Sequence, residues 1–139
     1  MTETHPPGNH KRPYLTGTHA TKLDAKRRIK IPKPFMDSLL AINGAQRTLY
    51  LMKPNDKDKI LCYPLPTIDK IRKELGEWSL LDYDKLHHME ELGSSLHEST
   101  IANDDRIIIP NDMLNSLDIK PGSNVLIKGA FEFITISKA

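Results

Sequence analysis

One cysteine in 139 residues leaves no intramolecular disulfide to build the fold and fits a reducing compartment. Cys62 lies beside Tyr63 with no nearby histidine to activate it, so it reads as a packed, inert thiol rather than a nucleophile. No apolar run approaches the roughly 18–20 residues that span a bilayer. The amino terminus from Met1 to Lys11 is polar and lacks an apolar stretch, so neither a signal peptide nor a membrane partner is expected. A Gly-rich phosphate loop and a Ser/His/Asp motif are both missing, so nothing points to an enzyme, a cofactor or a small-molecule substrate. His87, His88 and His97 invite a zinc reading. Adjacent histidines point to different helix faces and lack the i, i+4 or Cys/His spacing of zinc sites, so no metal is expected.

What the chain does have is an internal repeat. Arg28-Ile29-Lys30-Ile31-Pro32 returns 78 residues later as Arg106-Ile107-Ile108-Ile109-Pro110, and residues 28–44 laid on 106–122 without a gap match at seven of seventeen positions. Chance would give about one or two, so the chain is read as a duplication before anything else. Solenoids need at least about three units to bury a continuous core. Two copies should instead pack on each other as pseudo-symmetric halves.

Each copy carries the same punctuation. A β-branched run stops at a proline, which cannot continue a central ladder. Phe35, Met36, Leu39 and Leu40 then recur at helical spacing after Pro34, as do Met113, Leu114 and Leu117 after Asp112. Asn43-Gly44 and Pro121-Gly122 are expected to end those helices. Strand pairs should follow, at residues 48–52 with 60–63, and at 124–128 with 132–137 across Gly129-Ala130. Between the copies, Ile68, Ile71, Leu75 and Trp78, then Leu86, Met89 and Leu92 before Gly93, predict two linker helices whose apolar stripes serve as core. Asp82, Asp84, Glu90 and Glu91 read as a solvated face. The chain thus divides into a tail at 1–13 expected to be disordered, a first unit at 14–65, a helical linker at 66–96 and a second unit at 97–139. Each unit alone is too small to be more than marginally stable without a partner.

Charge is unevenly placed. Residues 1–33 hold eight Lys or Arg against two acids, a local +6 that leaves −4 for the rest of a chain whose net charge is +2. A protein that meets a polyanion gains from such clustering, because each neutralised phosphate releases a condensed counterion. Lys26, Arg27 and Arg28 fall in the turn between an expected strand at 18–23 and the Ile29 strand, with Lys22 and Lys30 flanking. A basic turn on a two-stranded ribbon can enter a major groove, and Arg offers a rigid fork for guanine or phosphate. Taken alone the cluster reads equally as a solvated hairpin tip that aids solubility.

Gly17 followed by Leu23-Asp24-Ala25-Lys26-Arg27-Arg28-Ile29-Lys30-Ile31-Pro32 resembles the signature of the MraZ family, in which Leu-Asp-x-x-Gly-Arg-x-x-Ile-Pro opens each of two tandem AbrB-like units. The second copy, Ile101 to Pro110, stands at the expected place, and Lys128-Gly129-Ala130-Phe131-Glu132-Phe133-Ile134 resembles the family's closing hairpin, so the likeness runs from Tyr14 to Ala139. The resemblance implies an α+β, mainly β fold in which two swapped-hairpin units interlock in one barrel, with a helical linker. It further implies a cytoplasmic, nucleoid-associated transcriptional regulator that binds double-stranded DNA at direct repeats upstream of the division and cell-wall gene cluster, as a homo-oligomeric ring. Lys26, Arg27, Arg28, Lys30 and Arg106 are then the candidate DNA-binding residues, with Asp24 in support. The sequence departs from the pattern in three places. The family glycine is Arg27 in one copy and Asp105 in the other, the signature aspartate of the second copy is Ala102, and the linker segment from Lys85 to Leu92 is not Arg-rich. A turn requiring φ > 0 would be disfavoured at Arg27 and Asp105. The acidic second turn favours the alternative of a protein-interaction scaffold with reduced DNA binding.

Overall fold

The computed structural model describes residues 14–44, 46–76 and 82–139; the tail at 1–13 and the segment that carries Trp78 lie outside them. The chain is α+β, mainly β, and runs β1 (Thr18–Lys22), β2 (Arg28–Lys30), α1 (Lys33–Asn43), β3 (Thr48–Met52), β4 (Ile60–Pro64), α2 (Leu65–Gly76), α3 (Tyr83–Ser95), β5 (His97–Thr100), β6 (Arg106–Ile108), α4 (Asn111–Ser116), β7 (Asn124–Gly129) and β8 (Ile134–Lys138). Alternation of apolar residues decides which face of each strand turns inward. Leu49 and Leu51 on β3, Ile60 and Cys62 on β4, Val125 and Ile127 on β7, and Ile134 and Ile136 on β8 are all buried. Phe35, Met36 and Leu39 of α1 and Met113 and Leu114 of α4 join the same core. Cys62 is packed there as its setting implied, and burial pushes its thiol pKa up, away from the reactive thiolate.

The two copies share their ladders. Six strands form one sheet in the order β1-β7-β8-β4-β3-β5, and β2 and β6 form a separate ribbon. The hairpin pairs β3·β4 and β7·β8 stay within a copy; β1·β7, β3·β5, β4·β8 and β2·β6 each join one copy to the other. Exchanging β1 with β5, β3 with β7 and β4 with β8 reproduces the same order, which is the signature of an approximate two-fold. Most ladder hydrogen bonds of either copy would be lost without its mate, so the duplication folds as a unit. The sheet is open, with β1 and β5 at its edges, and the described strands do not close into a barrel.

Several local expectations need correction. The basic turn does not cap a β1–β2 ribbon. At the end of β1, the Leu23 N–H donates to Ser123 (2.9 Å) and its carbonyl accepts from Gly122 (2.7 Å), so the chain stays with the approach to β7 and leaves β2 to pair with β6. Helix α4 ends at Ser116, well before Pro121-Gly122, because the next residue but one, Asp118, takes φ 54°. In the first copy Gly44 does cap α1, at φ 64°. The last hairpin turns through Ala130 to Phe133 rather than across Gly129-Ala130, since Gly129 pairs with Ile134 and the Ala130 N–H donates to the Phe133 carbonyl at 2.8 Å. Helix α3 runs through Gly93 to Ser95, and Asp82 serves as its N-cap.

The linker helices pack over the sheet. Thr67 on α2 donates its hydroxyl to the Glu132 carbonyl at 2.6 Å, and Lys70 ion-pairs with the Glu132 side chain. The stripes of α2 and α3 meet Met52 and Tyr63 around an apolar cleft of about 260 Å³ lined by Ile68, Ile71, Leu75, Met89 and Leu92. These side chains are half-buried, so the stripes cover the sheet without reaching the central core.

Candidate nucleic-acid interface

The β2–β6 ribbon sets the geometry. Its register pairs Arg28 with Ile108, Ile29 with Ile107 and Lys30 with Arg106. Directly opposed residues in an antiparallel pair point to the same face and successive residues to opposite faces. Ile29 and Ile107 therefore enter the core, and Arg28, Lys30, Arg106 and Ile108 share the outer face. Three cations from two copies are thus brought onto one patch by cross-copy pairing. Two strands about 4.8 Å apart are narrow enough for a major groove about 12 Å wide.

The loop before β2 is organised by Asp24. Its Oδ1 accepts from the backbone N–H groups of Lys26 and Arg28, both at 2.8 Å, and its Oδ2 accepts from Arg28 Nε at 2.8 Å. The Arg28 backbone N–H, with its guanidinium and the Lys26 N–H in support, holds the Asp24 carboxyl below its ordinary pKa. Because the pair uses Nε, the two terminal nitrogens of Arg28 have no hydrogen-bond partner among the described residues and can turn to a ligand, although the Asp104 carboxylate also feels the Arg28 charge. Lys26 and Arg27 are exposed on the same loop. The turn closes with Arg27 at φ 62° and its N–H donating to the Asp24 carbonyl at 3.1 Å. A residue with φ > 0 is therefore required where the family pattern has glycine, and an arginine is held there.

The loop before β6 repeats the backbone and reverses the charges. Asp105 takes φ 66°, and the bond from Ala102 N–H to the Arg106 carbonyl (2.9 Å) matches that from Asp24 N–H to Arg28 (2.9 Å). Ala102 offers no carboxylate, and Asp104 takes over, accepting from the Arg106 backbone at 3.3 Å and from its Nη1 at 2.7 Å. That side-chain bond from Arg106 is the main cause lowering the Asp104 pKa. Asp105 turns instead to Arg47, whose Nη2 lies 2.6 Å from its carboxylate and 2.8 Å from the Ala102 carbonyl, while Nε bonds the Ile101 carbonyl at 3.2 Å. Arg47 carries no signal in the sequence because it stands outside the two aligned stretches, 28–44 and 106–122, and only the fold brings it across to the second loop. The first loop keeps two positive charges in excess, Lys26, Arg27 and Arg28 against Asp24. In the second, Arg47 and Arg106 are matched by Asp104 and Asp105.

Lys22 lies at the end of β1, paired with Asn124 and off the ribbon. His87 contacts Glu91 at 3.1 Å along α3, and no group of three or more His, Cys, Asp or Glu side chains suited to a metal occurs among the described residues. Among them, too, no helix is long and apolar enough to cross a membrane.

No family model matches the chain. Curated relatives do. The chain is 27 % identical over 118 residues to the protein named transcriptional regulator MraZ in each of two strains of Thermus thermophilus, covering 82 % of this chain and 74 % of the relative. It is 30 % identical over 99 residues to the transcriptional regulator MraZ of Syntrophobacter fumaroxidans, covering 71 % of this chain and 63 % of that protein. These relatives support an MraZ-family assignment.

Proposed function

We propose, proceeding from that MraZ-family assignment, that this chain is a sequence-specific DNA-binding transcriptional regulator, and that the outer face of the β2–β6 ribbon is its DNA-contacting surface. The observation that carries the reading is the convergence of Arg28, Lys30 and Arg106 on one face, with Lys26 and Arg27 exposed beside them. Side chains on a ribbon face reach base edges in a major groove, and flanking cations neutralise phosphates. Lys26, Arg27 and Lys30 are assigned to phosphate, Arg28 and Arg106 to base edges, and Asp24 to holding the Arg28 fork.

The two units, at 14–65 and 97–139, are read as interlocked swapped hairpins, a reading supported by the cross-copy pairs. A ribbon of three residue pairs offers few contacts, so tight binding calls for several ribbons on repeated sites. We therefore assign a homo-oligomeric ring engaging direct repeats upstream of the division and cell-wall gene cluster, with the protein at the nucleoid. Linked sites multiply affinity through effective concentration. A second reading, a protein-interaction scaffold with reduced DNA binding, draws on the charge-neutral second loop.

A gel-shift series on the DNA immediately upstream of the protein's own gene, with the oligomeric mass measured by light scattering, tests both. Saturable, salt-sensitive binding by a species several times the 15.8 kDa chain mass supports the regulator. A large assembly that ignores this DNA supports the scaffold.

A further inference from the structure

Ile108 is the unexpected member of the ribbon's outer face. It is 53 % exposed, although Ile107 and Ile109 on either side are fully buried, and it is the direct cross-strand partner of Arg28. The 78-residue repeat lays it on Lys30, so the second copy places a branched aliphatic side chain where the first has a cation. Its ribbon neighbours on that face are Arg28, Lys30 and Arg106, of which Arg28 is paired with Asp24 and Arg106 with Asp104. Its carbonyl accepts the Ser99 hydroxyl at 3.1 Å, which anchors the backbone of the exposed residue to β5. An aliphatic group among cations adds nothing to phosphate binding and takes nothing from the core.

Resting on the DNA-binding reading above, we infer that Ile108 is a specificity-determining residue that reads the C5-methyl group of a thymine, next to the base pair contacted by Arg28. Thymine alone presents a methyl group in the major groove, and an apolar side chain is its complement. Opposed residues in an antiparallel pair hold their Cβ atoms about 5 Å apart, against a base-pair rise of about 3.4 Å. Arg28 on guanine therefore puts Ile108 over the neighbouring step. The site read by one ribbon contains a guanine and a thymine within about one or two base pairs of each other.

The test uses the full chain and the DNA upstream of its own gene, amplified once with thymidine and once with deoxyuridine, which pairs identically and lacks only the methyl group. Wild type should bind the deoxyuridine DNA at least about fourfold more weakly, the equivalent of burying one methyl group, and more where several ribbons engage. Ile108→Ala should bind both DNAs equally, at the level of wild type on deoxyuridine DNA. An equal loss in wild type and Ile108→Ala, or no loss in wild type, overturns the assignment while leaving DNA binding in place. If Ile108→Ala lowers the oligomeric mass in light scattering, the residue belongs to a protein interface and the inference is likewise refuted. Failure of wild type to bind thymidine DNA at all removes the regulator reading, and this inference with it.

Discussion

Ile29 and Ile107 occupy the same position in the two copies, and each is the other's direct partner at the centre of the β2–β6 ribbon. The approximate two-fold axis passes between them. Around it the bonds repeat, Ile31 N–H to the Asp105 carbonyl at 2.8 Å and Ile109 N–H to the Arg27 carbonyl at 2.9 Å. Both isoleucines lie beneath the cations of the outer face, so the packing that joins the copies also presents the candidate interface.

Truncating either should therefore act on stability. Ile29→Ala or Ile107→Ala is expected to cost about 2–5 kcal/mol in urea unfolding at fixed protein concentration. Side chains in contact also couple, so the double variant should depart from additivity by about 0.5–3 kcal/mol. Strict additivity would show that the two do not share one packing site.

Arg28 and Lys26 should separate base reading from phosphate contact. Arg28→Ala is expected to cost about 1–3 kcal/mol of specific binding and to relax preference at one base. Lys26→Ala should weaken all sequences alike and lower the salt slope by about one. Identical salt slopes and sequence preferences for the two variants would count against this division of labour.

The loops should be unequal. Arg28, paired with Asp24, stands beside two exposed cations, whereas Arg106, paired with Asp104, stands beside Asp105, which is held by Arg47. Arg106→Ala should hurt binding less than Arg28→Ala. Asp104→Lys, which restores the charge of the aligned Lys26, should tighten it. Fluorescence anisotropy at one salt concentration ranks the three, and the reverse order would make the second loop the principal reader.

Backbone strain should respond to glycine. A non-glycine residue in the left-handed region costs roughly 1–2 kcal/mol, and glycine returns about 0.5–1 kcal/mol of that through unfolded-chain entropy. Arg27→Gly should thus stabilise the fold by up to about 1 kcal/mol while weakening DNA binding. Asp105→Gly relieves the same φ but discards the 2.6 Å ion pair with Arg47, so it should gain less. Thermal unfolding of both variants decides; a drop in stability for Arg27→Gly would mean the arginine side chain makes an offsetting contact.

Asp24 should carry part of the acid sensitivity. Its folded pKa lies below the unfolded value, so the unfolded chain binds the proton first and the contribution is complete above about pH 4. It is lost as pH falls through the lowered folded pKa. Asp24→Asn should flatten that part of the acid limb of stability and loosen Arg28, reducing DNA binding at neutral pH. Parallel acid limbs for wild type and variant would exclude it.

Local physics is written in the residues themselves. The run Arg28 to Pro32 and its return at Arg106 to Pro110 announce two strands ended by proline, and the alternation in β3, β4, β7 and β8 is a period-two pattern that any pleated backbone must express. The shortage of glycine at Arg27 and Asp105 was legible for the same reason, since φ is a property of one residue and its neighbours. Pairing is different. Nothing near Thr18 says that β1 takes β7 instead of β2, and nothing near Asp105 names Arg47 as its partner. Those outcomes depend on which distant strand competes best for a shared ladder and a single core. That competition is settled only when both copies are folded together, and it set the three cations and one isoleucine of the candidate interface side by side.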